Sequence, residues 1–334
     1  MGEFCYAIRS MFTEFVMKIG FIEPGLHVCG GIRRIMEVSN QLVTLRHDVT
    51  LFTPRGLPCT WLPSKAKVKK LAVLPNEKFD VIIFNLAEQY KHANLANATV
   101  KVFWVLAPEA LYKHPDVPRK ALHQDFYLIA NSSFAVQYIQ NHGPKVHYKI
   151  PIIPGGINPQ HFKYDPLLPK LYHAMYYGSA RPWKGTAIIE LALGSTPYTK
   201  FLKMEGLNTP QDQLYKLYNS ATVYISAGQV EGFNFPILEG MACGCPVICT
   251  DDGGNRDFVK DGVNAIVVRR TPHDIKNAVV RVLEDKSLRN ALRRAGLTTA
   301  ANTNYTWKNV TAKLLKLLTQ LLAGTVKNYS GIKK

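Results

Sequence analysis

The chain has 334 residues, 47% hydrophobic and 19% charged, a balance that excludes a disordered chain, a coiled coil and a disulfide-stapled miniature fold. At about 150 residues per domain this length predicts two domains. Its 41 Lys and Arg against 24 Asp and Glu leave a net charge of +17, which favours polyanions or anionic lipid surfaces as partners, and no apolar run approaches the ~18 residues of a membrane-spanning helix.

Residues 1–16 hold Arg9 but no continuous apolar stretch with a small-residue cleavage site, so they predict an extension outside the fold rather than a secretory signal. From Met17 the pattern predicts a strand over 18–22, a glycine turn at Gly30-Gly31 and a helix over 32–46. Short β-rich runs follow at 49–52, 81–84, 100–106 and 127–130, most separated by enough chain for a crossover. Such uninterrupted apolar strands belong to parallel sheets covered on both faces. The basic run Lys65-Ala66-Lys67-Val68-Lys69-Lys70 reads as a solvated face.

Proline and glycine concentrate in Ile150-Pro-Ile-Ile-Pro-Gly-Gly-Ile-Asn-Pro159, which marks a domain boundary. Beyond it the alternation restarts, with strands at 172–177, 200–207, 222–226, 247–249 and 265–268. Helices are predicted from 186, over 210–219 and 236–243, and in a long tail from Pro272. The fold class is therefore α/β, with two Rossmann-like parallel-sheet domains facing across a deep cleft. The expected division is an extension at 1–16, an amino-terminal domain at 17–163 and a carboxyl-terminal domain at 164–310. A final helix and basic tail at 311–334 would return to the first domain. Ligands of open parallel sheets sit beyond the carboxyl ends of the strands, which places function between the halves.

Six cysteines are too few and too irregularly spaced for a disulfide scaffold, so a reducing cytoplasm is expected. Cys243, Cys245 and Cys249 read as buried thiols, because no paired C-x-x-C and no nearby His completes a zinc set.

The segment from Ser226 to Gly244 carries the most chemistry. A strand ends, a glycine-bearing loop follows, and Pro236 suits the start of a helix because its missing N–H costs nothing there. The backbone amides of Phe233, Asn234 and Phe235 would then form an anion site at the helix N-terminus. Glu231 precedes this helix and Glu239 lies in its first turns, so two carboxylates bracket a phosphate-sized space. Carboxylates repel phosphate but accept strongly from hydroxyls, and two sugars flanking a phosphate describe a nucleotide sugar. Taken as an isolated pair, a loop acid and a surface helix acid would look the same.

At these residues the chain resembles the retaining GT-B glycosyltransferases of family 4. Glu231 to Glu239 is similar to the family's E-x7-E motif, and Pro154-Gly-Gly-Ile-Asn-Pro-Gln-His-Phe162 to its interdomain segment, with Gly155 and Asn158 in place of the commoner Asn and Asp. Asn131-Ser-Ser133 resembles the serine-bearing strand end. The resemblance implies that Glu239 binds the ribose hydroxyls of the donor and Glu231 those of the transferred sugar. It further implies that the amides of Phe233, Asn234 and Phe235 meet the sugar and diphosphate. Gly178-Ser-Ala-Arg181-Pro-Trp-Lys184-Gly185 looks like the family's G-R-L-x-x-x-K-G, which makes Gly178 part of the donor loop and Lys184 the diphosphate cation. The usual arginine position holds Ser179, and Arg181, two places on, is its candidate substitute.

Gly30 and Gly31 would let amides approach phosphate without a Cβ in the way, while Arg33 and Arg34 add cations at that mouth, at least one of them structural or solvated. Glu109 is the candidate amino-terminal catalytic acid, with His114 beyond it. No D-x-D sequence occurs, so no metal is expected and the protein's own cations would neutralise the diphosphate. The implied donor is a nucleoside diphosphate sugar, UDP ahead of GDP. The implied acceptor is a glycan or glycolipid hydroxyl at an anionic membrane surface, or a hydroxymethylated base of phage-type DNA. A non-catalytic nucleotide-sugar or nucleic-acid binding protein is the alternative. The helical stretch 307–322 is amphipathic and lysine-bearing, consistent with a membrane-surface helix or with one packed back across both domains.

Overall fold

The computed structural model describes residues 16–106, 116–205 and 211–326, with the backbone alone for 211 and 212. Glu109 and His114 lie outside these residues, as does nearly all of the predicted extension. In chain order the first half forms β1 (Lys18–Ile22), α1 (Gly30–Thr44), β2 (Asp48–Thr53), β3 (Lys67–Lys70), β4 (Lys78–Phe84), α2 (Tyr90–Leu95), β5 (Asn97–Val105), α3 (Asp116–Leu122), β6 (Tyr127–Ala130) and α4 (Ser133–His142). The second forms β7 (Tyr172–Tyr177), α5 (Thr186–Gly194), β8 (Phe201–Met204), α6 (Gln211–Ser220), β9 (Ala221–Ser226), α7 (Phe235–Ala242), β10 (Val247–Thr250), β11 (Ile266–Val268), α8 (Pro272–Glu284), α9 (Lys286–Ala300) and α10 (Trp307–Leu322).

Two sheets result among the described residues, ordered β3-β2-β1-β4-β5-β6 and β11-β10-β9-β7-β8. Every pairing in them is parallel. The apolar runs explain why. In β4, Val81 and Ile83 enter a core with Ile35 and Val38 of α1, while Ile82 and Phe84 enter another with Leu122 and Ile139. Strand β9 divides likewise, Val223 and Ile225 meeting Val279 of α8 and Tyr224 meeting Met241 of α7. Burying both sides of a strand at ~1.5–3 kcal/mol per large apolar side chain is what a βαβ crossover makes possible.

Two local readings change. The basic run 65–70 contains the edge strand β3, in register with β2 from Thr50↔Lys67 to Thr53↔Lys70. Its lysines find acids, Lys67 pairing with Asp48 at 2.7 Å and Lys69 with Glu77 at 2.6 Å. Charged edge strands resist pairing with other chains, so a lysine-rich sequence is compatible with a strand there. Gly30 and Gly31, expected as a turn, are instead the first residues of α1, because extended Cys29 caps the helix with its sulfur, which accepts from the Ile32 N–H at 3.5 Å.

The halves meet along an extensive seam. Helix α10 buries Trp307, Val310, Leu314, Leu317 and Leu318 and packs on α1, while Lys308, Lys313 and Lys316 stay exposed. Where the interdomain segment crosses, a Cβ on Gly155 would lie 2.5 Å from the Phe233 ring and one on Gly156 2.8 Å from the Trp307 ring. The Asp257 carboxylate accepts from both the backbone N–H and the hydroxyl of Ser133 at the start of α4. Cys243, Cys245 and Cys249 are buried.

Candidate functional site

Three loops at the carboxyl ends of strands converge. After β7, residues 182–184 make a single helical turn that ends on Gly185, whose φ of 77° and missing Cβ (which would sit 2.2 Å from the Ala227 carbonyl) let the loop lie against the end of β9. Arg270 joins the two loops, donating from Nε to the Ala227 carbonyl at 2.9 Å and from Nη2 to the Pro182 carbonyl at 2.8 Å. The Gln229 N–H adds a bond to the Trp183 carbonyl at 2.8 Å. So fastened, Lys184 reaches the Glu231 carboxylate and forms an ion pair with it.

Glu231 and the turn after it are held from the far side by the loop following β10. The Glu231 N–H donates to the Asp252 carbonyl at 2.9 Å. Asn234, in the left-handed region at φ 62°, donates from its side-chain amide to Asp252 Oδ2 at 2.6 Å and to the Ser226 hydroxyl at 3.0 Å. Asparagine tolerates that conformation better than most residues. Gly232 passes so close to the first half that a Cβ would stand 1.8 Å from the Leu106 carbonyl oxygen. The backbone N–H groups of Phe233, Asn234 and Phe235 donate to no described residue, leaving the start of α7 with the unsatisfied donors and positive dipole end that attract anions.

Glu239, one turn into α7, is 2% exposed. One carboxylate oxygen pairs with Arg33, which reaches across from α1. The other accepts from the Tyr218 hydroxyl at 3.0 Å, and Tyr218 is in turn bonded to Tyr177. Burial opposes the charge of Arg33, yet Glu239 and the two tyrosines outweigh it and hold its pKa above the ordinary arginine value. Burial, Tyr177 and Glu239 drive the Tyr218 hydroxyl well above the usual tyrosine range, so it remains a donor. Gly30 abuts this region, since its Cβ would be 3.1 Å from the Phe235 ring, whereas Gly31 has ordinary room beside Leu106.

The predicted residues therefore divide. Lys184 with Glu231, and Glu239 with Gly30 and the amides of 233–235, line the junction of the sheets. Gly178, directly after β7, is bonded through its N–H to the Met204 carbonyl at 2.8 Å, and its face lies against Lys203. Arg181 is exposed, its guanidinium 5.9 Å from the Trp183 ring. Arg33 is only partly exposed and Arg34 is buried. Arg34, 1% exposed, is enclosed by the rings of Trp104, Phe235 and Phe233 at 5.2, 5.4 and 5.7 Å, and burial lowers its pKa to about 9. Such an aromatic box replaces a counter-ion by cation–π attraction.

Sequence reasoning missed Asp252 and Tyr218. The run Asp251-Asp252-Gly253-Gly254 directly after β10 was the available signal for the first, an acidic pair and two glycines at a strand's carboxyl end. Burial chiefly, opposed by the Asn234 amide and reinforced by Glu231, raises the Asp252 pKa from 3.8 to about 7. The folded protein thus keeps a proton that the unfolded chain releases near pH 4, so folding stability falls as pH climbs from about 4 to 7. Asp252→Asn is expected to remove most of that fall, a difference on the order of 3 kcal/mol. Parallel plots of melting temperature against pH for the two proteins would contradict it.

Residues 206–298, which contain both Glu231 and Glu239, match the family profile described as Glycosyl transferases group 1. The D-inositol 3-phosphate glycosyltransferase of Thermobifida fusca (strain YX) is 30% identical over 107 residues, 32% of this chain and 24% of that protein. The match thus spans about a quarter of that relative's length. Among solved structures, sucrose-phosphate synthase from Thermosynechococcus elongatus superposes with a TM-score of 0.77 at 17% identity, covering 92% of this chain and 100% of the other. Anabaena HepE in complex with UDP and glucose superposes at 0.75 and 16% identity, covering 91% and 100%. These likenesses show the fold to be GT-B.

Proposed function

We propose that the chain is a retaining glycosyltransferase that moves a sugar from a nucleoside diphosphate sugar to an acceptor hydroxyl without a metal ion. One observation carries this reading: two acids, each paired with a cation, flank the start of α7 where the two sheets meet. Glu239 would take the ribose hydroxyls and Glu231 those of the transferred sugar, each exchanging a cation for neutral donors. Lys184 would then face the diphosphate, together with the amides of 233–235.

In the transfer, the bond from the anomeric carbon to the diphosphate oxygen breaks and a bond to the acceptor oxygen forms on the same face. The acceptor proton passes to the departing diphosphate. Lys184 and the α7 N-terminus stabilise the charge that grows on that leaving group, and such preorganised electrostatics is worth most where water is excluded. UDP is the favoured nucleotide, supported by the likeness to a protein solved with UDP and glucose. A glycan or glycolipid hydroxyl is the favoured acceptor. With the apolar face of α10 buried on α1, contact with an anionic membrane would rest on exposed lysines such as Lys308, Lys313 and Lys316 rather than on inserted side chains.

The deciding experiment incubates the protein with a panel of UDP- and GDP-sugars without acceptor, following melting temperature and the release of free sugar. One sugar nucleotide should raise the melting temperature and be slowly hydrolysed. A stabilising donor that is never cleaved would support the non-catalytic binding protein instead, and the absence of any stabilising donor would overturn both readings.

A further inference from the structure

Arg33 carries a positive charge from the first half of the chain into the site built by the second. It stands in the first turn of α1, three residues beyond Gly30, and helical side chains lean toward the N-terminus. Gly30 in turn lies against Phe235, so the starts of α1 and α7 meet. The cap on α1 is a thiol, a weak acceptor, and the Gly30 N–H donates to no described residue. Two helix N-termini and two cations, Arg33 and Lys184, surround this junction, and both cations rest on carboxylates.

We propose that Arg33 is a donor-binding residue, whose guanidinium exchanges the Glu239 carboxylate for a diphosphate oxygen when the nucleotide binds. This rests on the reading of the site as one for a nucleoside diphosphate sugar. Ribose hydroxyls that donate to Glu239 take the place of the Arg33 N–H, while the Tyr218 bond to the other oxygen stays. A largely buried guanidinium left without acceptors is strongly destabilising. The diphosphate supplies them, in the paired geometry that an arginine fork matches and a lysine does not. Arg181, exposed over the Trp183 ring, pairs with no carboxylate among the described residues, so it is not held toward Glu239 as Arg33 is. The exchange also ties donor binding to the approach of the two halves, because Arg33 and Glu239 belong to opposite ones.

The test is calorimetric titration of the full chain and of Arg33→Gln with UDP, UMP and uridine, with GDP, GMP and guanosine in parallel. The wild type should prefer the diphosphate to the monophosphate, and Arg33→Gln should cut that preference by about tenfold or more while leaving nucleoside affinity within a few-fold. Equal weakening of all three ligands would show a merely structural role, and equal tightening would show that Arg33 only shields Glu239; either result overturns the proposal. If the single variant does not fold, Arg33→Lys keeps a cation for Glu239 without the fork, and an undiminished diphosphate preference there overturns it too. Failure of the wild type to bind either diphosphate would strike the underlying reading of the site, and the Arg33 assignment with it.

Discussion

Lys184→Ala is expected to lower kcat about a hundred- to a thousandfold while changing donor KM no more than a few-fold. Lys184 is held by a turn that Arg270 and Gln229 fasten to the end of β9, so its ammonium is positioned without help from a ligand. On the proposed reading its partner in the complex would be the diphosphate, whose charge grows from the ground state to the transition state as the anomeric bond breaks. A cation that meets its counter-charge late affects turnover more than binding. The variant should fold normally, since the ammonium is partly exposed and its pairing with Glu231 adds little to stability. Steady-state kinetics on the donor found by the sugar-nucleotide panel would check this. A rise in KM with kcat intact would move Lys184 from the reacting bond to ground-state binding.

Glu239→Ala should be more damaging in a different way, destabilising the fold by about 3–5 kcal/mol as well as abolishing donor binding. Its carboxylate is buried and answers both Arg33 and the Tyr218 hydroxyl. Removing it strands a guanidinium from the other half of the chain and leaves the Tyr218 hydroxyl only its bond to Tyr177. Glu239→Gln keeps an acceptor for Tyr218 and should recover part of the stability while still binding nucleotide poorly. Urea unfolding with calorimetric titration separates the two effects. Loss of binding at wild-type stability in the alanine variant would show that the Arg33 pair contributes nothing to holding the halves together.

The same pair of residues shows where sequence reasoning stops. The strands of both sheets were legible because runs such as Val81-Ile-Ile-Phe84 are apolar on both faces, and only a sheet covered on both sides satisfies them. The start of α7 was legible from Pro236, and the acids on either side of it from their spacing. β3 was hidden because four residues containing three lysines look solvated until Asp48 and Glu77 are seen beside them. Arg33 and Arg34, adjacent and chemically identical, could not be told apart. A helix turns ~100° between neighbours, so one enters the aromatic box and the other reaches Glu239.

What the amino-acid order determined by itself was everything that local chemistry enforces: two α/β halves, a proline- and glycine-rich joint between them, and a helix start fit to hold an anion between two acids. The tertiary structure alone decided which charges meet. Arg33 and Glu239 lie 206 positions apart, and Asp252 reaches Asn234 only because β10 lies beside β9. Periodicity and turn preference act over a few residues, whereas an ion pair depends on distance in space and on the exclusion of water, and neither is defined until the two halves have packed together.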